Sequence, residues 1–227
     1  MKSIKSVAVV DDDDDAALTI IHALEDAGFL PFRQPAGGTV HELAMIIKAN
    51  SEAAICDHRL RYGGFADISG AELAATLIEL RHPTILATQY LDQYADIAIR
   101  SFRSNLPVVM RREVADEPDE LRSAFARCKV ELRRGKIKER KLMRTLLSVQ
   151  DVTDVGNVKV VDAIVHGWSP RDTVRFPLDL VAEPDRADVN HGAFLTALTN
   201  FSTELKVDLY FEDVRLAPPA DTEDELG

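Results

Sequence analysis

A regular alternation between short apolar runs and longer amphipathic stretches across residues 6–134 constrains the fold most strongly. The apolar runs are residues 6–10, 29–32, 53–56, 84–88 and 107–110. The helix-like stretches are residues 16–27, 40–49, 71–80 and 94–103, and a longer one that opens at Pro118. Strands that alternate with helices predict a parallel sheet with helices on both faces, and wholly apolar strands fit a sheet covered on both sides. The predicted fold class is therefore α/β, a (βα)₅ doubly wound parallel sheet.

The second half of the chain follows a different pattern. Runs typical of β-strands cover residues 158–168, 173–181 and 206–216, with turn-rich segments between them, and residues 193–201 are ambiguous. This pattern predicts a small, mostly β and barrel-like module. The predicted organisation is an α/β domain over 1–133, a basic linker or helix extension over 134–156, the β-rich module over 157–216 and a disordered acidic tail over 217–227.

Composition and cysteine spacing indicate the cellular location of the protein. The 227-residue chain carries a net charge of −11 and two cysteines, Cys56 and Cys128, whose wide separation fits neither a disulfide framework nor a metal-ligand spacing. Its first residues lack the apolar segment of a signal peptide, and no run approaches the ~20 apolar residues of a membrane span. These features predict a cytoplasmic protein that does not act at a membrane.

Acidic residues follow two of the predicted strands, and a threonine ends a third. Asp11 and Asp12 follow the first strand, Asp57 ends the third and Thr88 ends the fourth. The carboxyl ends of parallel strands meet at one edge of a sheet, where clustered carboxylates need a cation such as Mg²⁺. Each feature alone also has a structural explanation, since acids favour helix N-termini, but the combination indicates a site that binds metal and phosphoryl groups.

These residues resemble the receiver domain of two-component response regulators over about residues 5–133. VAVVDD is similar to the family's first strand and acidic pair, AICDHRL to the strand that carries the phosphoacceptor, and ILAT to the fourth strand with its threonine. The resemblance implies that a histidine kinase phosphorylates Asp57 and that Thr88 hydrogen-bonds the phosphoryl group. It also implies that Asp12 binds Mg²⁺ directly, Asp11 through water and Arg59 through its backbone carbonyl.

The sequence departs from the family at two places. After the fifth strand, Arg111 takes the position of the family's lysine and Arg112 that of the following proline. The loop after Asp57 is longer than usual and has Arg61 where the family has proline. We predict that residues 61–68 of this loop control access to the site or contribute to a partner surface.

The implied function is that of a signalling protein in a two-component phosphorelay, not an enzyme, with its output through a protein partner or homodimerisation. One alternative is a receiver-like binding scaffold that works without phosphorylation. A second alternative is a phosphatase similar to the haloacid dehalogenases, with Asp11 as nucleophile and Asp13 as acid/base. That alternative leaves Asp57 without a role.

A basic stretch follows the α/β domain. It contains Lys129, Arg133, Arg134, Lys136, Lys138, Arg140, Lys141 and Arg144. The stretch fits a solvated helix that runs into a linker, or a surface for an acidic partner. The module after it is itself acidic, which argues against nucleic acid as its partner. Within that module, His166 and His191 fit turn or core positions better than metal ligation, and Trp168 fits a packing anchor.

Overall fold

The computed structural model of the chain describes residues 3–60, 65, 69–89 and 95–218. The chain divides into two compact units, residues 1–137 and 138–227. The predicted boundary at residue 133 lies close to this division. Among the described residues, no helix combines the length and the apolar character needed to cross a membrane.

The N-terminal unit alternates strands and helices, as predicted. Its elements are β1 Ser6–Val10, α1 Asp14–Asp26, β2 Leu30–Arg33, α2 Val40–Asn50, β3 Ala53–Asp57, α3 Gly70–Glu79, β4 Thr84–Thr88, α4 Ala95–Arg100, β5 Val109–Arg111 and α5 Pro118–Arg134. The five strands pair in parallel in the order β2-β1-β3-β4-β5. The predicted doubly wound α/β sheet is confirmed.

Helices cover both faces of this sheet. Buried residues of α1 and α5 share one apolar cluster with the sheet, and those of α2 and α3 share a second cluster on the other face. Side-chain caps set the starts of three helices: Asp13 accepts from Ala16, while Thr39 and Ser69 begin α2 and α3. The proline-containing strand β2 lies at an edge of the sheet, where proline is tolerated. The core therefore fixes the sheet from two sides.

The C-terminal unit is an antiparallel sheet. Its strands are β6 Met143–Val155, β7 Val158–Val165, β8 Thr173–Pro177, β9 Phe194–Thr199 and β10 Phe211–Leu216, in the order β10-β9-β6-β7-β8. The predicted linker over 134–156 is wrong for most of its length, because β6 is the central strand of this sheet. Alternation along β6 buries Leu147 and Val149, and a register shift between Val149 and Asp151 interrupts the period that would have revealed it.

Past β8 the chain returns to the other edge strand of the antiparallel sheet, β10. After β8 the chain makes a 3₁₀ turn at Leu178–Leu180, and Val181 then forms an isolated parallel bridge to Val214 of β10. The ambiguous stretch 193–201 contains β9. The run predicted over 206–216 is a strand only in its second half, since Lys206–Asp208 forms a 3₁₀ turn. Most of the predicted disordered tail, from residue 219 onward, lies outside the described residues.

Candidate functional site

Three carboxylates meet at the carboxyl edge of the parallel sheet. Val10 pairs with Cys56 in the register of β1 and β3, so the residues that follow them, Asp11 and Asp57, lie side by side. One carboxylate oxygen from each of Asp11, Asp12 and Asp57 lies within 4.8 Å of the others. Asp11 and Asp57 are almost fully buried, with exposed fractions of 1% and 9%. Parallel strand direction thus brings together acids that are far apart in the sequence.

Backbone amides hold two of these carboxylates. The N–H of Asp13 donates to Oδ1 of Asp11 over 3.0 Å, and the N–H of Arg59 donates to Oδ2 of Asp57 over 2.9 Å. Hydrogen bonds of this kind favour the ionised carboxylate and fix its orientation. The contact of Arg59 lies next to the carbonyl that the sequence proposes as a metal ligand.

Arg112 is the cation of the cluster. Its Nη2 donates to Oδ2 of Asp11 and lies 3.5 Å from Oδ1 of Asp57, and its side chain is only 15% exposed. The guanidinium of arginine is planar and carries several donors, so it can bridge two carboxylates. The ammonium of lysine is a compact point charge. Asp11 and Asp57 are therefore already partly neutralised by the protein itself.

The sequence assigned a cation at this site to Arg111, and the guanidinium that contacts the two buried carboxylates in the structure is that of the next residue, Arg112. Arg111 ends β5 with an exposed side chain, in register with Thr88. Arg112 lies just past the strand, where its backbone N–H donates 3.0 Å to the carbonyl of Thr88. Side chains alternate along a strand, so the first residue beyond β5 reaches the carboxylates. Thr88 itself is fully buried at the end of β4.

Burial governs the ionisation of the cluster. Desolvation raises the pKa of Asp11 to about 6, against the opposing effects of the Asp13 amide and the Arg112 charge. Desolvation also raises the pKa of Asp57, with Arg112 again opposing it. A neighbouring cation stabilises the charged form of a carboxylate. A cation bound at the cluster would therefore favour the ionised forms of both Asp11 and Asp57.

The donor set fits a hard divalent cation. Mg²⁺ prefers carboxylate oxygens at 2.0–2.1 Å in an octahedron, which places opposite ligands about 4.2 Å apart. Each of the three carboxylates places one oxygen within 4.8 Å of the others, which is compatible with ligation of a single ion. Arg112 contacts two of these carboxylates, at Oδ2 of Asp11 and Oδ1 of Asp57. Asp11, Asp12 and Asp57 would hold the ion.

Gly70 is a site residue that the sequence analysis missed. It begins α3, and a Cβ built there would lie 1.6 Å from the carbonyl oxygen of Asp57. Its N–H donates to the carbonyl of His58 over 3.2 Å. The backbone of α3 thus presses directly against the end of β3, and only glycine permits that approach. The Ser-Gly pair at the start of a helical pattern was the available signal.

Most of the long loop after Asp57, residues 61–64 and 66–68, lies outside the described residues. That part includes Arg61 and most of the segment predicted to control access. On either side of residues 61–64, Leu60 and Phe65 are buried in the core cluster beneath α2 and α3. Both of these described positions therefore belong to the core of the N-terminal unit.

Two further features surround the acidic cluster. Arg33, at the end of β2, pairs with Asp14 and donates to the backbone carbonyl of Asp11 over 3.3 Å. Beside the cluster lies an open cavity of about 380 Å³ whose wall includes Arg112. Its other lining residues are Asp13, Asp15, Ala16, Thr19, Gln89, Glu113 and Asp116. Arg112 therefore has the carboxylates of Asp11 and Asp57 on one side and the acidic residues of this cavity on the other.

Asp13 belongs to the helix and not to the carboxylate cluster. Its side chain accepts the N–H of Ala16 over 2.9 Å and caps α1. The phosphatase alternative requires Asp13 as the acid/base, so this cap removes the support for that role.

In the C-terminal unit the predicted histidine and tryptophan positions have local partners. His166 shares a 2.7 Å hydrogen bond with Ser148 Oγ, and His191 Nδ1 lies 2.6 Å from the carbonyl of Gln150. Trp168 packs on the core and donates to the carbonyl of Thr203 over 2.9 Å. Among the described residues, the only metal-like acid or histidine cluster is the one at Asp57.

The basic stretch does not form one continuous helix. α5 ends at Arg134, and Gly135 follows with a φ of 84°. Arg140 is 2% exposed, with its guanidinium 4.9 Å from the centre of the Tyr210 ring. The basic residues are therefore divided between a helix end, a connection and the start of β6, which weakens the prediction of a single charged surface.

Comparisons with known proteins bear on the N-terminal unit. No protein-family profile matches the chain, and no curated protein matches it. Among solved structures, a receiver domain from Clostridium thermocellum is 17% identical and covers 57% of this chain and 97% of its own, with a TM-score of 0.43. A receiver domain protein from Methanospirillum hungatei is 21% identical, with coverages of 58% and 98% and a TM-score of 0.41.

A third neighbour is the N-terminal domain of a response regulator/sensory box/GGDEF protein from Carboxydothermus hydrogenoformans. It is 17% identical and covers 57% of this chain and 94% of its own, with a TM-score of 0.41. These structures are similar to the N-terminal unit alone. The strand order β2-β1-β3-β4-β5, all parallel, defines the fold independently. It is the flavodoxin-like fold of receiver domains. The C-terminal β-rich unit lies beyond this similarity.

Proposed function

We propose that the N-terminal unit is a response-regulator-like receiver in a cytoplasmic phosphorelay, phosphorylated on Asp57 by a histidine kinase. The observation that carries the proposal is the meeting of Asp11, Asp12 and Asp57 at one sheet edge. The output is a change in a protein contact, with a partner or between two copies of the chain, and not catalysis on a separate substrate.

The chemistry follows from the positions of these groups. An oxygen of Asp57 attacks the phosphorus of a phosphohistidine, the P–N bond breaks, and the imidazole nitrogen keeps the electron pair and takes up a proton. Mg²⁺ at the carboxylates would neutralise charge on the transferring oxygens. Thr88 donates its hydroxyl to the phosphoryl group, and Arg111 adds positive charge at the rim. Arg59 holds Asp57 by its N–H.

Roles within the metal site follow the resemblance. Asp12 would ligate the ion directly, Asp11 would act through a water molecule, and the carbonyl of Arg59 would complete the protein ligands. The buried Asp11 lies deepest, and the half-buried Asp12 lies nearer the solvent. This difference supports a direct role for the more accessible carboxylate.

Intact mass measured after incubation with Mg²⁺ and acetyl phosphate tests this function. The wild-type protein should gain one phosphoryl group, and Asp57→Asn should gain none. Asp119→Asn is the matched control, because it removes one exposed acid from the first turn of α5 and lies outside both the cluster and its neighbouring cavity. An adduct that persists in Asp57→Asn, or one that never forms even with a cognate kinase, contradicts the proposal.

The contacts of Arg112 favour a second candidate, a receiver-like scaffold that binds its partner without phosphorylation. A guanidinium already pairs with both buried carboxylates, so the fold has a cation without metal. This candidate predicts no phosphoryl adduct and the same captured proteins for wild type and Asp57→Asn in a pull-down. Loss of a captured partner in Asp57→Asn alone would exclude it.

A further inference from the structure

Arg112 and a divalent cation compete for the same two carboxylates. The guanidinium contacts Oδ2 of Asp11 and Oδ1 of Asp57, and both carboxylates belong to the only candidate metal cluster in the described chain. Two cations that share desolvated ligands at this distance repel each other strongly. Ligation of Mg²⁺ therefore requires the side chain of Arg112 to leave.

The protein offers Arg112 a second place to go. The cavity of about 380 Å³ beside the cluster has Arg112 in its wall, together with the carboxylates of Asp13, Asp15, Glu113 and Asp116. The charge of Arg112 already acts on Asp116, where it opposes the rise of the pKa caused by burial. A guanidinium that turned away from Asp11 would stay among acids and near solvent.

The backbone at Arg112 can stay fixed during such a movement. Its N–H donates 3.0 Å to the carbonyl of Thr88, and its carbonyl accepts the N–H of Ala115 over 2.9 Å. These bonds hold the start of the turn between β5 and α5. The exchange is then a side-chain rotation about a fixed point, which needs no rearrangement of the sheet.

We infer that Arg112 is an internal competitor of the divalent cation: metal binding at Asp11, Asp12 and Asp57 displaces its guanidinium into the acidic cavity lined by Glu113 and Asp116. The inference rests on the metal site of the proposed function. Arg112 therefore lowers the affinity of the site for Mg²⁺. When the ion binds in the buried site, the displaced guanidinium changes the charge of the surface beside α5. That surface change is a signal a partner can recognise.

Calorimetric titration of the metal-free full-length chain with MgCl₂ tests the inference. Arg112→Gln should bind Mg²⁺ about tenfold or more tightly than wild type, because three carboxylates lose their internal counter-charge. Arg122→Gln is the matched control: it removes the same charge from α5, where the side chain is 47% exposed and pairs with Asp119, and should leave the affinity within about twofold.

A second measurement uses the wild-type chain and does not depend on the variant's folding. The Nε–H resonance of Arg112, observed by NMR, should shift with the same midpoint as Mg²⁺ binding. Equal affinities for wild type and Arg112→Gln, or a resonance that stays in place while Mg²⁺ binds, overturn the competition and leave the metal site standing. Failure of all variants to bind Mg²⁺ overturns the metal site of the proposed function as well.

Discussion

The two units of this chain treat charged side chains in opposite ways. In the parallel sheet, strand ends from different parts of the sequence point to one edge, and Asp11, Asp57 and Arg112 are buried against each other there. In the antiparallel sheet, charged residues pair across neighbouring strands at the surface, as Arg175 does with Asp162. Strand direction explains the difference, because only parallel strands end together. In this protein the parallel sheet therefore brings charged side chains together at one edge, whereas the antiparallel sheet pairs them across strands at its surface.

The largest expected effect comes from the close approach at the parallel edge. Gly70→Ala places a methyl group 1.6 Å from the carbonyl oxygen of Asp57, so α3 must move away from β3. We expect a loss of about 4 kcal/mol or more in unfolding free energy, measured by denaturant titration of the helical circular dichroism signal.

Gly156→Ala, in the β6–β7 hairpin of the other unit, is the matched control. Nothing lies within 4 Å of a Cβ there, and only its φ of 60° disfavours alanine. It should cost about 1 kcal/mol. If the two substitutions destabilise equally, the packing of α3 on the end of β3 is looser than described.

The next effect concerns the two kinds of ion pair. Arg112→Ala, without metal, leaves Asp11 and Asp57 buried with no guanidinium between them, and should cost about 3 kcal/mol. Arg175→Ala removes an arginine whose side chain is 44% exposed, and should cost at most about 1 kcal/mol. Chemical denaturation of both variants in metal-free buffer checks the difference. Equal losses would contradict the contrast between buried and surface pairs.

The smallest effect is a pH dependence of opposite sign in the two units. Burial raises the folded-state pKa of Asp11 to about 6 from 3.8. As pH rises, Asp11 therefore loses its proton at a lower pH in the unfolded chain than in the folded protein. The stability contribution of Asp11 is therefore present at low pH and is lost as pH rises from about 4 to 6, at no more than about 1.4 kcal/mol per pH unit.

Asp213 gives the contrast in the antiparallel unit. Hydrogen bonds from Arg144 and Arg215 lower its pKa, so its contribution is present above 3.8 and lost as pH falls below that value. In metal-free denaturation curves between pH 3 and 7 (roughly the span in which carboxylates titrate), the first trend should weaken in Asp11→Asn, where Asp57 keeps its own raised pKa. The second trend should be lost in Asp213→Asn. An Asp11→Asn profile identical to wild type would contradict the burial effect.

Much of the N-terminal unit could be predicted from sequence because its signals are local. Apolar strands, amphipathic helices and caps such as Asp13 act within a few residues, and they gave the order of elements and the doubly wound class. The same reasoning failed at β6, where a register shift and flanking basic residues hid a central strand. It also did not single out Arg112 as a partner of the carboxylates, since the end of β5 is not sharply encoded in the sequence.

The sequence by itself determined that acids would end β1 and β3, and that parallel strands would bring Asp11, Asp12 and Asp57 together. Only the tertiary structure decided that Arg112 reaches these carboxylates and that Gly70 permits α3 to touch the end of β3. Both contacts join residues far apart in the chain, and each depends on ångström-scale placement of one element against another. Local propensity carries no information at that scale, whereas packing of the whole core sets it.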